Sequence, residues 1–381
     1  MAKAVKRRGS RTLGLGGGGD TGRGTTTLQL TWRRFNRSSL AKAGGVVVLL
    51  LVIVTLFAPF FAPYDYNRTR LGMVFVPPQQ VHFVDAEGQW HLRPFTYALT
   101  PDMDPVTWRR IYTEDTSTRY PIYFFVRSWE YQLFGFIRSD LHLFGTEAPG
   151  TVFLLGTDKL GRDLLSRTIF GGRVSMYVAF AGALVSAFLG AVIGAMSGYY
   201  GGLFDTITQR IIELLLSFPT LPLFMALSVA IPVEWPPFGV FLGIIAIFSL
   251  LSWPVLAREV RGKVLSYREE EFVTAAHAIG ATNPYIVFRH ILPNVLSHVI
   301  VILTITIPEL ILAEGALSFL GLGIQPPMVS WGVLLSDATT LETLGRNPWV
   351  MIPGIAILVT VLAFNFLGDG LRDAVDTTSH L

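Results

Sequence analysis

The chain has 381 residues, of which 51% are hydrophobic and 15% charged, with a net charge of +3 and no cysteine. An ordinary soluble domain carries about 25% charged residues, so that class is excluded, as are disulfides, thiolate metal sites and a cysteine nucleophile. The charge is uneven: Lys3, Lys6, Arg7, Arg8, Arg11, Arg23, Arg33, Arg34, Arg37 and Lys42 against Asp20 give residues 1–42 a charge of +9, which leaves −6 for the remainder.

Residues 1–43 form a basic tail containing Gly14-Leu15-Gly16-Gly17-Gly18-Gly19, a run that cannot build a core. Such a tail serves nucleic acid or flanks a membrane helix on the cytoplasmic side. The apolar block at residues 44–63 selects the second reading, so no nucleic-acid partner is expected. The block is longer than a signal h-region. Phe35 also sits one place too early after Arg33-Arg34 for a twin-arginine signal, so the block reads as an uncleaved first span.

Residues 64–155 form the only sizeable polar insert. Hairpin strands are expected on either side of Glu87-Gly88, and residues 121–126 (PIYFFV) read as a further strand. The abundance of Trp, Tyr and Phe predicts a small ordered cap of mixed α/β structure. Residues 158–173 carry Lys159, Arg162, Arg167 and Arg173 among Leu160, Leu164, Leu165 and Ile169, the pattern of an amphipathic helix at the membrane interface. Asp158 and Asp163 read as capping and surface-pairing residues.

Five further apolar blocks follow, at residues 174–198, 214–233, 236–257, 291–320 and 348–367. Each is long enough for the roughly 20 residues that cross a bilayer. Prolines inside them (Pro219, Pro222, Pro254, Pro353) are tolerated where neighbouring helices re-satisfy the freed carbonyls. Six spans with a cytoplasmic N-terminus put the C-terminus inside too, with residues 258–290 in between. Arg258, Arg261, Lys263, Arg268 and Arg289 in that loop agree with the positive-inside rule. The expected fold is an all-α polytopic membrane protein of six transmembrane helices, with a cytoplasmic coupling loop and an external mixed α/β insert. The expected divisions are residues 1–43 (tail), 44–63 (first span), 64–155 (insert), 156–376 (core with five spans) and 377–381 (cytoplasmic tail).

The cytoplasmic loop is the most informative segment. Ser266 and Glu269 have the spacing of a capping box. Phe272, Ala275, Ala276 and Ile279 recur at helical spacing, Gly280 suits a C′ position, and Asn283-Pro284 opens a second short helix expected to stop near Pro293. Periodicity leaves open whether this element packs on its own bundle or docks into a partner.

Other residues carry less chemistry. Glu309 and Glu314 lie toward the outer end of the fifth span, where an ionisable group is a functional candidate; Glu314 is the candidate substrate-path residue. Arg210 and Glu213 are spaced to pair on one helix face. Seven histidines without HExxH spacing give no zinc site, and His277 and His290 read as contact residues. No phosphate loop is present, because the only Gly-Lys pair, Gly262-Lys263, has Ala257 where the first glycine is required. No internal repeat of the secondary-transporter kind is evident, and the insert shows no nucleophile and base of a membrane enzyme.

The run EFVTAAHAIGATNPYIVFRHILPN, residues 271–294, resembles the EAA loop of binding-protein-dependent ABC permeases. Ala275, Ala276, Gly280, Leu292 and Pro293 match that motif, while Thr274 replaces its Glu and His290 its Ile. Arg289-His290 before ILPN resembles the peptide/nickel branch. LGTDKLGRDLLSR at 155–167, GYYGG at 198–202 with Asp205 and Arg210, LSFLGLG at 317–323 with Pro326, Pro327, Ser330, Trp331 and Gly332, and NFLGDGLRDAVD at 365–376 resemble the same branch, with Thr377 where a Pro is usual. The resemblance covers residues 155–376 and the first span. It implies a permease, not an enzyme, in the inner membrane, moving di- or oligopeptides by alternating access; nickel, glutathione and oligosaccharides are alternatives within the branch. It implies a paralogous permease, two P-loop ATPases that bind ATP and Mg, and an extracytoplasmic binding protein as partners, in a setting of membrane lipid. In that family the residues matching Phe272, Ala275, Ala276, Gly280, Arg289, His290, Leu292 and Pro293 form the loop that docks on the ATPase.

Overall fold

The computed structural model describes residues 32–105, 110–232 and 234–375. Most of the Gly-rich tail, and Thr377 with the rest of the C-terminal tail, lie outside the described residues.

The helices in chain order are α1 (Ser39–Leu56), α2 (Ala58–Phe61), α3 (Leu164–Tyr200), α4 (Gly202–Leu216), α5 (Thr220–Val229) and α6 (Pro237–Arg268). They continue with α7 (Glu271–Ala278), α8 (Asn283–Phe319), α9 (Trp331–Ser336), α10 (Leu341–Arg346) and α11 (Ile352–Val375). Among the described residues five helices are long and apolar enough to cross a membrane. The expected span at 214–233 is instead two helices, α4 and α5, bent by 89°, so six spans result if the bent pair counts as one. Pro219 causes the break: it has no N–H and takes an extended conformation as the N-cap of α5.

Several helices overrun their apolar blocks. Helix α3 has 37 residues, a rod of about 55 Å at about 1.5 Å per residue, well beyond the hydrocarbon thickness. The expected interfacial helix at 158–173 does not form. Residues 157–163 are a folded turn closed by a bridge between Thr157 and Asp163, and α3 then begins at Leu164. Asp163 caps it, Oδ2 accepting from the Ser166 amide at 2.8 Å and the Ser166 hydroxyl at 2.6 Å. Asp158 accepts from Leu160 and Arg162 and forms an ion pair with Arg167 at 3.2 Å. Capping was legible, but the surface setting was not: Asp158, Asp163 and Arg167 are all buried.

The insert is an antiparallel sheet in the order β1 (His82–Val84), β2 (Trp90–Met103), β3 (Arg110–Leu133), β4 (Ile137–Thr146). The hairpin about Glu87-Gly88 forms, with Val84 opposite Trp90 and Gly88 at φ +82°. The expected mixture of helix and strand is corrected: within the described insert the sole helical piece between α2 and α3 is one 3-10 turn, Leu71–Met73. Long runs of aromatic and β-branched residues in β2 and β3 suit a pleated surface and leave no helical period. The sheet sits on the ends of α2 and α3. His142, fully buried, sets Nδ1 2.9 Å from the Pro59 carbonyl and 3.0 Å from that of Ala62, and the Tyr64 amide donates to Ser166 Oγ at 3.1 Å.

Helices α3 and α6 pack at backbone distance. A Cβ on Gly190 would lie 2.9 Å from the Trp253 carbonyl oxygen, one on Gly198 would lie 2.9 Å from that of Arg261, and one on Gly194 would overlap Ala257. Small residues replace the hydrophobic drive that lipid removes from helix pairing. At the rim, Gly44 meets Ala363 and Leu367, and Gly370 meets Ala41, so α1 and α11 run antiparallel. Both described chain ends therefore lie at one pole, beside the end of α6, and the sheet lies at the other.

This packing predicts that Gly194→Val destabilises the folded chain by about 3 kcal/mol, the upper range for overpacking. Gly262→Ala, in α6 but with open space around it, is expected to be neutral or to stabilise by up to about 1 kcal/mol. Thermal unfolding in detergent compares the two.

Candidate functional site

The loop between α6 and α8 lies at the pole of the chain ends. The expected capping box is not used: α6 runs through Ser266, and Glu269 is its C-cap, paired with Arg268 at 3.1 Å. Helix α7 starts one residue after Glu270, which makes no side-chain cap bond. At its other end Gly280 behaves as expected. It takes φ +83° and donates to the His277 carbonyl at 2.9 Å, while Ala281 donates to Ala276 at 3.0 Å, the two bonds of a Schellman closure.

The second helix departs from expectation. Thr282, not Asn283, is its N-cap. The Asn283 side chain instead accepts a hydrogen bond from Tyr199 Oη at 3.1 Å, and the same hydroxyl lies 3.0 Å from His277 Nε2. The helix does not stop near Pro293. A π-helical stretch, Ile286–Ile291, continues the helix within the long α8, with Pro293 in the next helical turn. Wider π turns accommodate residues that an α-helical ladder cannot pair, and proline lacks an amide.

The loop has two faces. Val273, Ala276, Ile286, Val287 and Ile291 are buried against Ala191, Ala195, Val260 and Val264 of α3 and α6. Phe272, Ala275 and Ile279 face outward, with Phe272 38% and Ile279 86% exposed; Tyr285 and Phe288 are exposed as well. So the expected single apolar face is split: Ala276 packs inward, and Phe272, Ala275 and Ile279 make a second, exposed face, on which the Phe272 ring lies 6.4 Å from that of Tyr267. Gly280, Arg289 and Pro293 are also exposed, while His290 and Leu292 are half-buried. Val273 and Tyr199 hold the loop and carry no sequence signal of that role. Nearby, Arg261 clamps Asp205 with bonds of 2.6 and 2.7 Å, tying α4 to α6. Arg210 and Glu213 pair at 2.7 Å on the surface, as their spacing implies.

Glu314 is far from this loop, toward the other end of α8. It has no exposed surface. One carboxylate oxygen accepts from Ser175 Oγ of α3 at 2.6 Å, the other from Ser318 Oγ at 2.6 Å. Those hydroxyls in turn accept from the Trp331 amide at 3.1 Å and the Ile324 amide at 3.0 Å. Gly332 is pressed against the Gly315 backbone, so α9 is held directly on the carboxylate's network. Glu314 thus joins α3, α8 and α9 and faces no open path in this conformation; Glu309 is exposed on the outer surface of α8. Among the described residues, no group of three or more His, Cys, Asp or Glu is placed to hold a metal ion.

Removing a carboxylate that serves two buried hydroxyls leaves both without an acceptor and opens a cavity. Glu314→Ala is expected to cost about 3 kcal/mol, and Glu314→Gln, which retains one acceptor, about 1 kcal/mol. Unfolding midpoints in detergent check the order, and equal midpoints for both variants and the parent would remove the positioning role.

The profile of the family described as "Binding-protein-dependent transport system inner membrane component" matches residues 163–378, more than half of the chain. A second, described as "N-terminal TM domain of oligopeptide transport permease C", matches residues 26–78. The chain is 48% identical over 357 residues to the oligopeptide transport system permease protein OppC of Haemophilus influenzae, covering 93% of this chain and 89% of that protein. It is 31% identical over 344 residues to OppC of Bacillus subtilis, covering 90% and 87%, and 49% identical over 225 residues to OppC of Escherichia coli, covering 58% and 71%. With a profile across most of its helical core and a relative matched along nearly its whole length, the chain belongs to the binding-protein-dependent transport system inner membrane components, the permease subunits of ABC importers.

Proposed function

We propose that this permease forms one half of the membrane path of an ATP-driven oligopeptide importer and is coupled to its ATPase subunits through α7. The observation that carries the coupling role is the division of α7 into two faces. Val273 and Ala276 fasten it to the bundle, and Phe272, Ala275 and Ile279 are left exposed where a partner can grip them. Gly280 ends the helix without a side chain in the way, and Arg289, His290, Leu292 and Pro293 lie in the loop-side end of α8. The peptide substrate is supported by the names of the relatives, each an oligopeptide permease.

The pole of α7 is assigned to the cytoplasm. Arg258, Arg261, Lys263, Arg268 and Arg289 lie at or near it, together with Arg33, Arg34, Arg37 and Lys42 before and in α1, and short basic loops stay inside. The N- and C-termini then face the cytoplasm of a cell whose inner membrane the bundle crosses, and the sheet is external. Two P-loop ATPases holding ATP and Mg engage the loop, a paralogous permease completes the path, and an extracytoplasmic binding protein delivers the peptide.

A mild-detergent pull-down from native membranes tests this. Recovery of a second six-span permease with one or two P-loop ATPases is expected. Ile279→Asp, placed on an exposed side chain, is expected to leave the spans folded and the paralogous permease bound while ATPase recovery and peptide uptake fall at least tenfold, the change that about 1.4 kcal/mol of lost contact produces. Undiminished ATPase recovery with that variant would move the contact away from α7.

A further inference from the structure

The tip of the β3–β4 hairpin has the wrong chemistry for water. Its residues, Leu133-Phe134-Gly135-Phe136-Ile137, include no polar side chain. Phe134 and Gly135 take φ of 53° and 81°, and the Phe136 amide donates back to the Leu133 carbonyl. Positive φ at both central positions defines a type I′ turn, which ordinarily selects Asn-Gly or Asp-Gly. A phenylalanine there is strained, and a strained residue is evidence of a use that the turn itself does not explain. Phe136 is 76% exposed, and Phe134 and Ile137 are exposed beside it.

The tip is also at a fixed height. The Phe134 ring meets the Phe57 ring edge-on at 5.9 Å, and Phe125, exposed and likewise at positive φ (57°), has its ring 6.4 Å from that of Phe60. Phe57 is the C-cap of α1 and Phe60 lies in α2, which begins at the next residue, so the aromatic tip lies level with the end of a membrane span. That span is peripheral: 17% of its apolar stretch is buried, against 56% for α3. Its exposed Leu49, Leu50 and Ile53 continue toward the tip.

We infer that the β3–β4 hairpin dips into the bilayer leaflet at the insert's end of the bundle, with Phe125, Phe134 and Phe136 packed among lipid chains next to α1. The inference rests on α1 crossing the bilayer. Lipid is the occupant because the patch is continuous with α1, the least buried of the five long apolar helices, and carries aromatic rings at the end of that helix, where membrane proteins concentrate them. The sheet is then a cap tethered at its rim by the membrane itself, rather than a free external domain.

The absence of native cysteine allows a clean test. Nitroxide labels on Phe136→Cys, Leu50→Cys and Glu87→Cys are compared in the assembled importer, in nanodiscs of phosphatidylethanolamine and phosphatidylglycerol. Relaxation by oxygen, which partitions into lipid, is set against relaxation by a water-soluble nickel chelate. The oxygen-to-nickel ratio at position 136 is expected to be several-fold higher than at 87, in the β1–β2 turn, and to approach that at 50. A ratio at 136 equal to that at 87 places the tip in water and overturns the inference. Exclusion of both reagents places it against protein and overturns it equally. A water-like ratio at 50 would instead strike the assignment of α1 as a span.

Discussion

The structure depends on backbone-to-backbone contact between α3 and α6. Gly190, Gly194 and Gly198 stand one turn apart on α3 and bring it against the carbonyls of Trp253, Ala257 and Arg261. In lipid there is no hydrophobic gain from pairing two apolar helices, so close van der Waals contact has to supply the association. The stripe ends where it matters. One residue beyond Gly198, Tyr199 reaches His277 and Asn283 of the loop, and four residues beyond Val260, Val264 packs against the same loop from α6. The position of the α6–α8 loop is thus an extension of the glycine contact.

What was legible in the sequence followed from local physics. Unbroken apolar blocks marked the membrane helices, Glu87-Gly88 marked a hairpin, and Gly280 marked a left-handed helix end. Misreadings arose where long-range contact overrode a local pattern. Leu160, Leu164, Leu165 and Ile169 have the spacing of an interfacial helix, but residues 157–163 fold into a turn because Asp158 finds Arg162 and Arg167, and Asp163 finds Ser166. The capping-box spacing of Ser266 and Glu269 lost to continuation of α6, whose polar end is as compatible with helix as its apolar body. Proline was informative but ambiguous: Pro219 breaks a span, whereas Pro254 and Pro308 sit inside intact helices.

The same limit applies to the site. The period of Phe272, Ala275, Ala276 and Ile279 identifies an apolar α7, but not which side faces the bundle, because Val273 shares the inward side with Ala276 and both sides are apolar. Only the fold separates them. Glu314 was conspicuous as a charge in an apolar span, yet its partners come from segments 139 residues upstream and four residues downstream, and only the first of these distances defeats local reading. The burial of an ionisable group in a span is compatible with a purely internal role once each oxygen has a donor.

Helix α8 connects these two places. From Asn283 to Phe319 it spans 37 residues, about 55 Å at about 1.5 Å per residue. One end is the loop that α7 opens, and the other carries Glu314 and Ser318, which hold α3 and α9. A helix of this length moves as a rod except where its hydrogen-bond ladder is interrupted. The ladder is interrupted near the loop, at the π stretch Ile286–Ile291 and Pro293 just after it, and again at Pro308, before Glu314. If α7 is the ATPase contact proposed above, a push on it would reach the Glu314 network through a rigid segment bounded by two compliant ones. Because the hydroxyls at that network are buried away from bulk solvent, α3, α8 and α9 must shift together or lose the bonds they share. That condition favours discrete rearrangement over gradual bending.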